Sequence, residues 1–394
     1  MTEKTNVPEI RFAGFTDPWE QRKLGELLLF QNGFNGSSES FGSGIPLISV
    51  MDVLDDEFIT HETVRGKARL NCEEASRYCV EYGDVLFQRS SENQEDAGTS
   101  NVYLDQHVSS AFGGFVIRGK KVGEYNPIFI KYLLGSSFIR EQITHRAQGA
   151  QHINVSQDTL ADVVLLIPSM REQEAVGLVF LHLDNLITLH QRKHDKLVQL
   201  KKSMLDKMFP KPGETEPEIR FAGFTDPWEQ RKLGEAATIV GGGTPSTNND
   251  AYWDGDIDWY SPAELGEQVY ADRSVRRITQ AGYDSCSATL LPAGKTILFT
   301  SRAGIGNTAI LRRSACTNQG FQSLVVNDDT DVYFVYSMTD RIKKFAEQKA
   351  SGSTFLEISG KGLAAGEFAF PSKDEQTAIG SMFKQLDHLI TLHQ

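Results

Sequence analysis

The apolar positions of this chain form short runs and longer helical repeats. Short apolar or alternating runs cover residues 78–88, 109–119 and 295–301, and Gly, Asn, Asp and Ser separate them, which is typical of strands joined by turns. Longer periodic segments cover residues 127–147 and 330–349, and each is followed closely by a glycine, so both are predicted to be helical. The pattern therefore predicts a strand-rich α+β architecture.

A much longer helical pattern begins near Glu172. Apolar residues three and four positions apart continue to Met208, which predicts a helix of about 55 Å at about 1.5 Å per residue. A second helix begins in the same way but is expected to be shorter, because the sequence given stops at Gln394. The predicted seam positions are Val176, Val179, Leu183, Leu186, Leu197, Leu200, Met204, Ile379, Met382, Leu386 and Leu389. We expect the last three positions on the first helix to lack a partner.

Two segments of the sequence each occur twice in the chain. Residues 8–26, PEIRFAGFTDPWEQRKLGE, recur without change at 217–235, and HLDNLITLHQ at 182–191 recurs as QLDHLITLHQ at 385–394. The stretches between these repeated edges share little beyond their pattern. A period of about 200 residues is too long for a solenoid repeat and indicates a duplicated domain. Identical edges predict a shared role, such as docking two copies of one partner, and different interiors predict two readers of different ligands.

Helix-capping and helix-ending residues predict where these domains begin and end. Each long helix follows a Pro-x-x-x-Glu-Gln motif, in which Ser169 or Ser372 is positioned to cap the helix start. The segment FPKPGETEP ends the first helix and forms a linker, because proline and glycine do not continue a helix. The predicted boundaries are 1–170 for domain 1, 171–210 for its helix, 211–216 for the linker, 217–371 for domain 2 and 372–394 for the second helix.

Composition excludes several classes of protein. No apolar run approaches the roughly 20 residues of a membrane span, and the N-terminus lacks the apolar core of a signal peptide, so a cytoplasmic protein is expected. The four cysteines form no C-x-x-C pair and have no zinc-ligand spacing. Reduced thiols and no bound metal are therefore expected.

Charge is distributed unevenly. The formal net charge of −12 argues against a general nucleic-acid-binding surface. Two stretches are nevertheless basic: residues 192–211 contain seven Lys or Arg and two Asp, and residues 113–152 contain six Lys or Arg and two Glu. An acidic protein can therefore still offer a local basic surface to DNA.

These features together resemble the specificity subunit of type I restriction-modification systems. The motifs typical of that family are F-x-G-F-T-D-x-W-E-Q-R-K-L-G-E at both domain starts, P-x-x-x-E-Q leading into LDxLITLHQ, and GGGTPSTNNDAYWDGDIDWYSP at 241–262. The resemblance extends over essentially the whole chain. It implies two target recognition domains in tandem, each followed by a long helix, with the helices forming an antiparallel coiled-coil spacer.

The resemblance also implies a function and partners. Each domain would read one half of a bipartite, asymmetric site in double-stranded DNA. The helices would dock methyltransferase subunits, two of them, and motor-nuclease subunits would join through these. A rigid spacer fits this function because it fixes the separation of two readers.

Catalytic motifs are missing from the sequence. A methyltransferase needs a Gly-rich cofactor loop and an Asn/Asp-Pro-Pro-Tyr/Phe motif, and neither is found; RAGIGNTA at 302–309 has only G-x-G. We therefore expect a non-catalytic subunit that binds no cofactor. Two alternatives stay open: a tandem scaffold that binds only proteins, and an enzyme with its own nuclease or methyltransferase site.

Residue type and matched position in the two halves indicate the candidate DNA contacts. Base edges are read by Arg, Lys, Asn, Gln, Ser and Thr, and lysines also suit phosphate contacts. The candidates in domain 1 are Asn35, Gln88, Arg89, Ser90, Lys120, Lys121, Gln148, Gln151 and His152. The candidates in domain 2 are Thr244, Ser246, Ser301, Arg302, Gln319, Lys343, Lys344, Ser351, Ser353 and Thr354. The repeated aromatic residues Phe12, Phe15, Trp19, Phe221, Phe224 and Trp228 are predicted to be core or partner-facing.

Overall fold

The computed structural model divides the chain into two compact units, Met1–Thr188 and Leu189–Gln394. It describes residues 7–149, 152–302, 304–352 and 356–393. We refer to the two compact parts as unit 1 and unit 2 and describe each by itself.

Unit 1 is built from short strands and helices in alternation. Its strands are β1 Glu20–Lys23, β2 Leu28–Asn32, β3 Phe41–Ile48, β4 Gly66–Ala68, β5 Val85–Gln88, β6 Ser90–Ser91, β7 Ser100–Val102, β8 Ala111–Phe112, β9 Val116–Lys121, β10 Ile153–Asn154 and β11 Val164–Ile167. Its helices are α1 Leu24–Leu27, α2 Val50–Val53, α3 Cys72–Arg77, α4 Pro127–Gly135, α5 Ser137–Thr144, α6 Gln157–Ala161 and the start of α7 Met170–Lys207, with a 3₁₀ turn at Ser38–Ser40.

Two sheets form the body of unit 1. The larger is antiparallel with the order β2-β9-β5-β7, and the smaller has the order β4-β3-β8, in which β3 and β8 run parallel. The pairs β1–β11 and β6–β10 are separate two-stranded ribbons. All four residues of β5 are buried because the strand lies inside the larger sheet, and Val85 and Phe87 join the same core cluster as Phe129 of α4.

Unit 2 repeats this element order. Its strands are β12 Glu229–Lys232, β13 Ala237–Gly241, β14 Trp253–Tyr260, β15 Tyr270–Ala271, β16 Arg276–Ile278, β17 Thr296–Phe299, β18 Thr308–Leu311, β19 Ala315–Thr317, β20 Gln322–Val326 and β21 Glu367–Phe370. Its helices are the end of α7, then α8 Leu233–Ala236, α9 Gln280–Asp284, α10 Val332–Ser337, α11 Thr339–Lys349, α12 Gly360–Ala364 and α13 Lys373–Thr391, with 3₁₀ turns at Asp250–Tyr252 and Pro262–Glu264.

The two sheets of unit 2 correspond to those of unit 1, with β15 as an additional strand at the edge of the larger sheet. The larger sheet has the order β13-β20-β17-β18-β15 and the smaller has the order β16-β14-β19, while β12 pairs with β21. Even an irregularity recurs: Phe41 and Ile45 of β3 both align with Ala68 of β4, and the same bulge lies in β14 opposite Ile278 of β16. The predicted α+β fold of two strand-rich domains in tandem is therefore confirmed.

The predicted helices are also present. Helix α7 begins two residues before the expected start and ends one residue before the expected end. The backbone N–H groups of Glu172 and Glu375 lie 3.4 Å from the hydroxyl oxygens of Ser169 and Ser372, which places both serines as predicted at the helix starts. The helix expected over 127–147 is interrupted at Ser136, whose extended backbone separates α4 from α5, and the helix expected over 330–349 is divided at Met338 into α10 and α11.

Within unit 2, the second half of α7 runs antiparallel to α13. His190 lies against His393, and eleven residues further along α7 the ammonium of Lys201 donates to the carboxylate of Asp387 at 2.5 Å. Met204 packs against the core cluster of unit 2, so the expectation that it would lack a partner is wrong. Leu197 is half-buried, and Leu200 remains 43% exposed.

The repeated sequence edges form a polar clamp inside each unit. The Arg11 guanidinium donates two hydrogen bonds to the Glu172 carboxylate at 2.7 Å each and a third to the Asp17 carbonyl at 2.6 Å. Arg220 makes the same two bonds to Glu375, at 2.7 and 2.8 Å. Bidentate pairing of this kind fixes geometry as well as charge. Part of the repeated sequence therefore serves the internal structure of each unit.

A second repeated contact ties each long helix to its unit. The Gln173 amide donates to the Pro168 carbonyl and accepts from the backbone N–H of Asn126, both at 2.9 Å. Gln376 makes the equivalent bonds to Pro371 and Asp331. These contacts explain why the motif contains a glutamate followed by a glutamine, because both side chains form hydrogen bonds within their own unit.

Candidate nucleic-acid interface

In unit 2, polar groups gather at one end of the larger sheet. Strand β17 continues past Phe299 into Thr300–Arg302, where the N–H of Ser301 donates to the Gly320 carbonyl at 2.8 Å. The Ser301 carbonyl in turn accepts from the N–H of Ile358 at 3.1 Å. These bonds hold the strand end, the loop before β20 and the segment before α12 side by side.

Several predicted residues meet at this end of the sheet. The Thr244 hydroxyl donates to the Gln319 side chain, and Gln319 is exposed beside the Gly320 loop. Arg302 is half-exposed and lies against Gly320, and the stem of Lys343 packs so closely over Gly306 that a Cβ there would lie 2.4 Å from it. A guanidinium, an ammonium, an amide and a hydroxyl thus surround one loop cluster. The buried Ser301 hydroxyl has no hydrogen-bond partner among the described residues.

Unit 1 builds the same backbone arrangement with other side chains. The N–H of Arg89 donates to the Phe115 carbonyl at 2.9 Å, and the Arg89 carbonyl accepts from the N–H of Val155 at 3.0 Å. Arg89 is therefore the structural counterpart of Ser301, which agrees with the matching of Gln88–Ser90 to Thr300–Arg302 in the sequence. The Arg89 guanidinium donates to the Gly114 carbonyl at 3.3 Å.

A polar cavity of about 430 Å³ lies at this place in unit 1. It is lined by Arg89 and Gln148, both predicted, and by residues that the sequence reasoning missed. The missed residues are Asn32, Asn154, Val155, Ser156 and Gln157. Asn154 follows His152 by two positions and accepts a hydrogen bond from Ser90, so extending the matched stretch across the repeat was the signal that could have found it.

A second matched loop borders the site in both units. Gln148 and Asn154 form an isolated bridge in unit 1, and Ser351 and Glu357 form the same bridge in unit 2. Gly149 has φ +147° and Gly352 has φ +146°, a conformation that side chains disfavour. At the first of these a Cβ would lie 1.9 Å from the His152 carbonyl oxygen, so only glycine fits. The backbone is therefore shared while the side chains at the bridge differ.

The structure does not bring all the candidates to this end of the sheet. Lys120 and Lys121 lie at the opposite end of β9, because Gln88 pairs with Val116 at the start of that strand. Lys120 lies 3.5 Å from Glu81, and the Lys121 ammonium donates to the Tyr125 carbonyl at 3.0 Å. Burial lowers the pKa of Lys121. These two lysines are thus engaged within unit 1.

The remaining candidates have varied surroundings. Gln88 is buried and donates to the Ser90 carbonyl at 2.9 Å, whereas His152 and Lys344 are exposed. Asn35 is exposed and its side chain lies against Gly114. The Ser246 side chain is exposed while its carbonyl accepts from the Trp253 indole at 3.1 Å. Gln151, Ser353 and Thr354 lie outside the described residues.

Other site types find no support in the part of the chain that the structure describes. No group of three His, Cys, Asp or Glu side chains there is arranged to hold a metal ion. None of the described helices has both the length and the apolar character needed to cross a membrane.

Comparison with known proteins identifies the class first. Residues 225–394 match the family model of the type I restriction modification DNA specificity domain. Because unit 1 repeats the element order and sheet pairing of unit 2, the chain is built from two domains of one kind.

Individual relatives are similar to part or to most of the chain. The MjaIX type I restriction enzyme specificity subunit of Methanocaldococcus jannaschii is 36% identical over 41% of this chain and 38% of its own length. The putative MjaX specificity subunit of the same organism is 23% identical over 99% of this chain and 90% of its own length. The crystal structure of a type I restriction-modification S subunit from M. genitalium has the same fold, with a TM-score of 0.59, 14% identity and coverage of 99% and 93%. The family model and these relatives support the resemblance to type I restriction-modification specificity subunits that the sequence predicts.

Proposed function

We propose that the chain binds DNA in a sequence-specific way and that each unit reads one half of a bipartite, asymmetric site. The observation that carries the proposal is the repeated scaffold with changed side chains. Gln88–Ser90 and Thr300–Arg302 occupy equivalent backbone positions, as do Gln148 and Ser351. Two readers of different sequences need this combination of a constant backbone and variable polar groups.

The chemistry of each cluster suits base reading. Arginine and lysine bind guanine, and glutamine and asparagine bind adenine, through hydrogen bonds in the major groove. Unit 2 offers Arg302 and Gln319 at the Gly320 loop, with Lys343 packed over Gly306, and unit 1 offers Arg89 and Gln148. The exposed side chains of Lys344 and His152 are further proposed contacts, and Lys344 suits phosphate. Because the chain has a net charge of −12, the electrostatic attraction to DNA phosphates has to come from such local basic groups.

The proposed test is a map of methylated bases in cells that express the chain with its cognate methyltransferase. A split, asymmetric motif with a fixed unread gap is expected. Arg302→Ala should relax one half-site, and Gln148→Ala should relax the other, each by the about 1–3 kcal/mol that a good base contact supplies. Equal weakening of both half-sites by either variant in a folded protein would contradict the assignment of one unit to one half.

The long helices are proposed to dock two methyltransferase subunits, through which motor-nuclease subunits join. The supporting observation is the exposure of three seam residues on the first half of α7, Val179, Leu183 and Leu186. Apolar side chains in a continuous exposed row indicate a partner surface. In this proposal the chain itself is non-catalytic and directs methylation and cleavage by its partners.

A tandem scaffold that binds proteins only is the alternative function. The exposed helix face and the acidic net charge fit it as well. Salt-dependent binding to a duplex containing the mapped motif separates the two functions, because phosphate contacts release counterions and protein contacts do not.

A further inference from the structure

One loop beside Arg89 in unit 1 and beside Ser301 in unit 2 keeps its backbone and changes its side chains. It covers residues 113–115 in unit 1 and 318–320 in unit 2. The N–H of its first residue donates to the carbonyl of the last residue of β3 or β14, at 2.9 and 3.0 Å. The carbonyl of its third residue accepts from the N–H of Arg89 or Ser301, at 2.9 and 2.8 Å. We call residues 113–115 and 318–320 the reading loops, and these contacts make their positions equivalent one by one.

The two reading loops place their large side chain at different positions. Unit 1 has Gly114 followed by Phe115, whereas unit 2 has Gln319 followed by Gly320. A Cβ on Gly114 would lie 1.7 Å from the Asn35 amide oxygen, so glycine leaves this place to the asparagine side chain. The reading loop of unit 2 therefore offers a hydrogen-bonding amide, and that of unit 1 offers an aromatic ring.

Phe115 is presented to solvent and not to the core of unit 1. Its side chain is 71% exposed. It lines a cavity of about 860 Å³ together with Phe41 and Met51, which are also exposed. Single exposed apolar residues are ordinary on protein surfaces, but several large ones around one cavity indicate a surface that contacts a ligand.

Polar groups around this cavity indicate nucleic acid as the ligand. Asn35 and Lys67 also line the cavity and are exposed. The Arg89 guanidinium donates to the Gly114 carbonyl of the reading loop at 3.3 Å. Lysine suits phosphate contacts, and arginine and asparagine suit base edges. The apolar surface of Phe115 is therefore continuous with the groups that are proposed to read DNA.

We propose that Phe115 contacts the C5-methyl group of a thymine in the half-site that unit 1 reads. This methyl group is the apolar feature that the major groove of DNA presents, and phenylalanine is among the side chains that contact it. Contact between the ring and the methyl group removes apolar surface of both partners from water. The inference rests on the proposed function and adds one residue and one base to it.

The test uses the full chain assembled with its cognate methyltransferase and a duplex that carries the mapped motif. Each thymine of both half-sites is replaced in turn by deoxyuridine, which lacks only the methyl group, and affinity is measured by fluorescence anisotropy. At one position, in the half-site that Gln148→Ala relaxes, the wild-type complex should lose affinity about fourfold, as expected for one buried methyl group. The Phe115→Ala complex should bind the thymine and deoxyuridine duplexes equally at that position, because the partner of the methyl group is then missing.

A matched control separates this contact from a general loss of apolar surface. Phe138→Ala removes another exposed phenylalanine of unit 1, on α5, and should leave the response to deoxyuridine unchanged. A motif without thymine on either strand of that half-site would overturn the inference alone. So would equal responses to deoxyuridine in the wild-type and Phe115→Ala complexes.

Two other outcomes have different meanings. If the wild-type complex did not prefer the mapped duplex to one with both half-sites scrambled, the proposed function would fall and the inference with it. If Phe115→Ala prevented a folded chain from assembling with the methyltransferase in the absence of DNA, a protein surface would cover Phe115. The inference would then be wrong, while the methylation map would stand.

Discussion

Identical residues in the two units have different surroundings. Trp228 is buried against Phe209, while Trp19 at the same place in the repeat is half-buried, lies 6.3 Å from Phe129 edge to face and donates its indole N–H to Glu172 at 3.3 Å. A side chain contributes to the free energy of folding according to how much of its apolar surface is buried and how closely its neighbours pack around it. Sequence identity between the halves therefore does not imply equal contributions to stability.

This difference gives a stability prediction. Phe383→Ala should lower the free energy of unfolding by about 3–5 kcal/mol, because it leaves a cavity in a closed aromatic cluster. Phe180→Ala, the same change at the equivalent position, should cost about 1 kcal/mol or less, because that ring is already exposed. Urea denaturation followed by tryptophan fluorescence compares the two variants. Equal losses would mean that the Phe180 ring is covered in solution.

A second residue-level prediction concerns the loop at the reading site. Gly149→Ala should distort the bridge between Gln148 and Asn154 at a local cost of about 1–3 kcal/mol, since its φ of +147° and the nearby His152 carbonyl leave no place for a methyl group. Gly135→Ala is the control, because nothing lies within 4 Å of a Cβ there. Duplex affinity should fall for the first variant alone. An unchanged affinity would remove this loop from the interface.

Among the elements, the antiparallel contact of α7 and α13 contains titratable groups. His190 and His393 approach within 2.8 Å between ring nitrogens. Burial and the positive charges of Lys193, His190 and His194 lower the pKa of His393 below its ordinary value of 6.5. The neutral imidazole is thus the form that the folded contact favours.

The sign of the pH dependence follows from this shift. Above pH about 6.5 both folded and unfolded states hold His393 neutral, so its stabilising contribution is complete. As pH falls from 6.5 through the lowered value, the unfolded state takes up the proton first and the end of α13 loosens. The protection factors for hydrogen exchange in the last turn of α13, which correct for the intrinsic pH dependence of exchange, should fall as the pH is lowered from 7 to 5. His393→Gln should flatten this dependence, and a profile that stays steep in this variant would assign it to other groups.

The elements were more predictable than their contacts. Periodicity alone located α7 and α13, and turn residues separated the short strands, because both signals are local in sequence. Strand pairing brings together residues far apart in sequence, so nothing local revealed that Lys121 lies at the opposite end of the sheet from Gln88. The sequence indicates only that Phe209 lies at the end of a helix. Its burial could not be predicted, because the aromatic rings that cover it come from distant parts of unit 2.

For the whole molecule, the acidic net charge sets a limit on DNA binding. A chain with net charge −12 repels DNA except where its basic groups are close to phosphates. Affinity should then come from a small number of local contacts in each unit, and specific sites should be favoured over the general attraction that a basic coat provides.

This predicts a steep but sequence-dependent response to salt. If about six to ten phosphates are contacted, affinity for the mapped duplex should fall about 10³–10⁵-fold between 50 and 200 mM salt. A duplex with both half-sites scrambled should bind weakly throughout. Titrations in parallel on the two duplexes make the measurement. Affinity that is insensitive to salt, or equal on both duplexes, would favour the protein scaffold instead.

The clamps between Arg11 and Glu172 and between Arg220 and Glu375 have a consequence for inheritance. Each clamp joins the beginning of a unit to the start of its exit helix, so the chain enters and leaves at one place. Because the clamp fixes where the chain enters and leaves each unit, the segment between the two clamped ends can be replaced without moving the elements on either side. The whole segment between the two clamped ends can therefore be replaced during evolution, and the nineteen repeated residues mark where each replaceable segment begins.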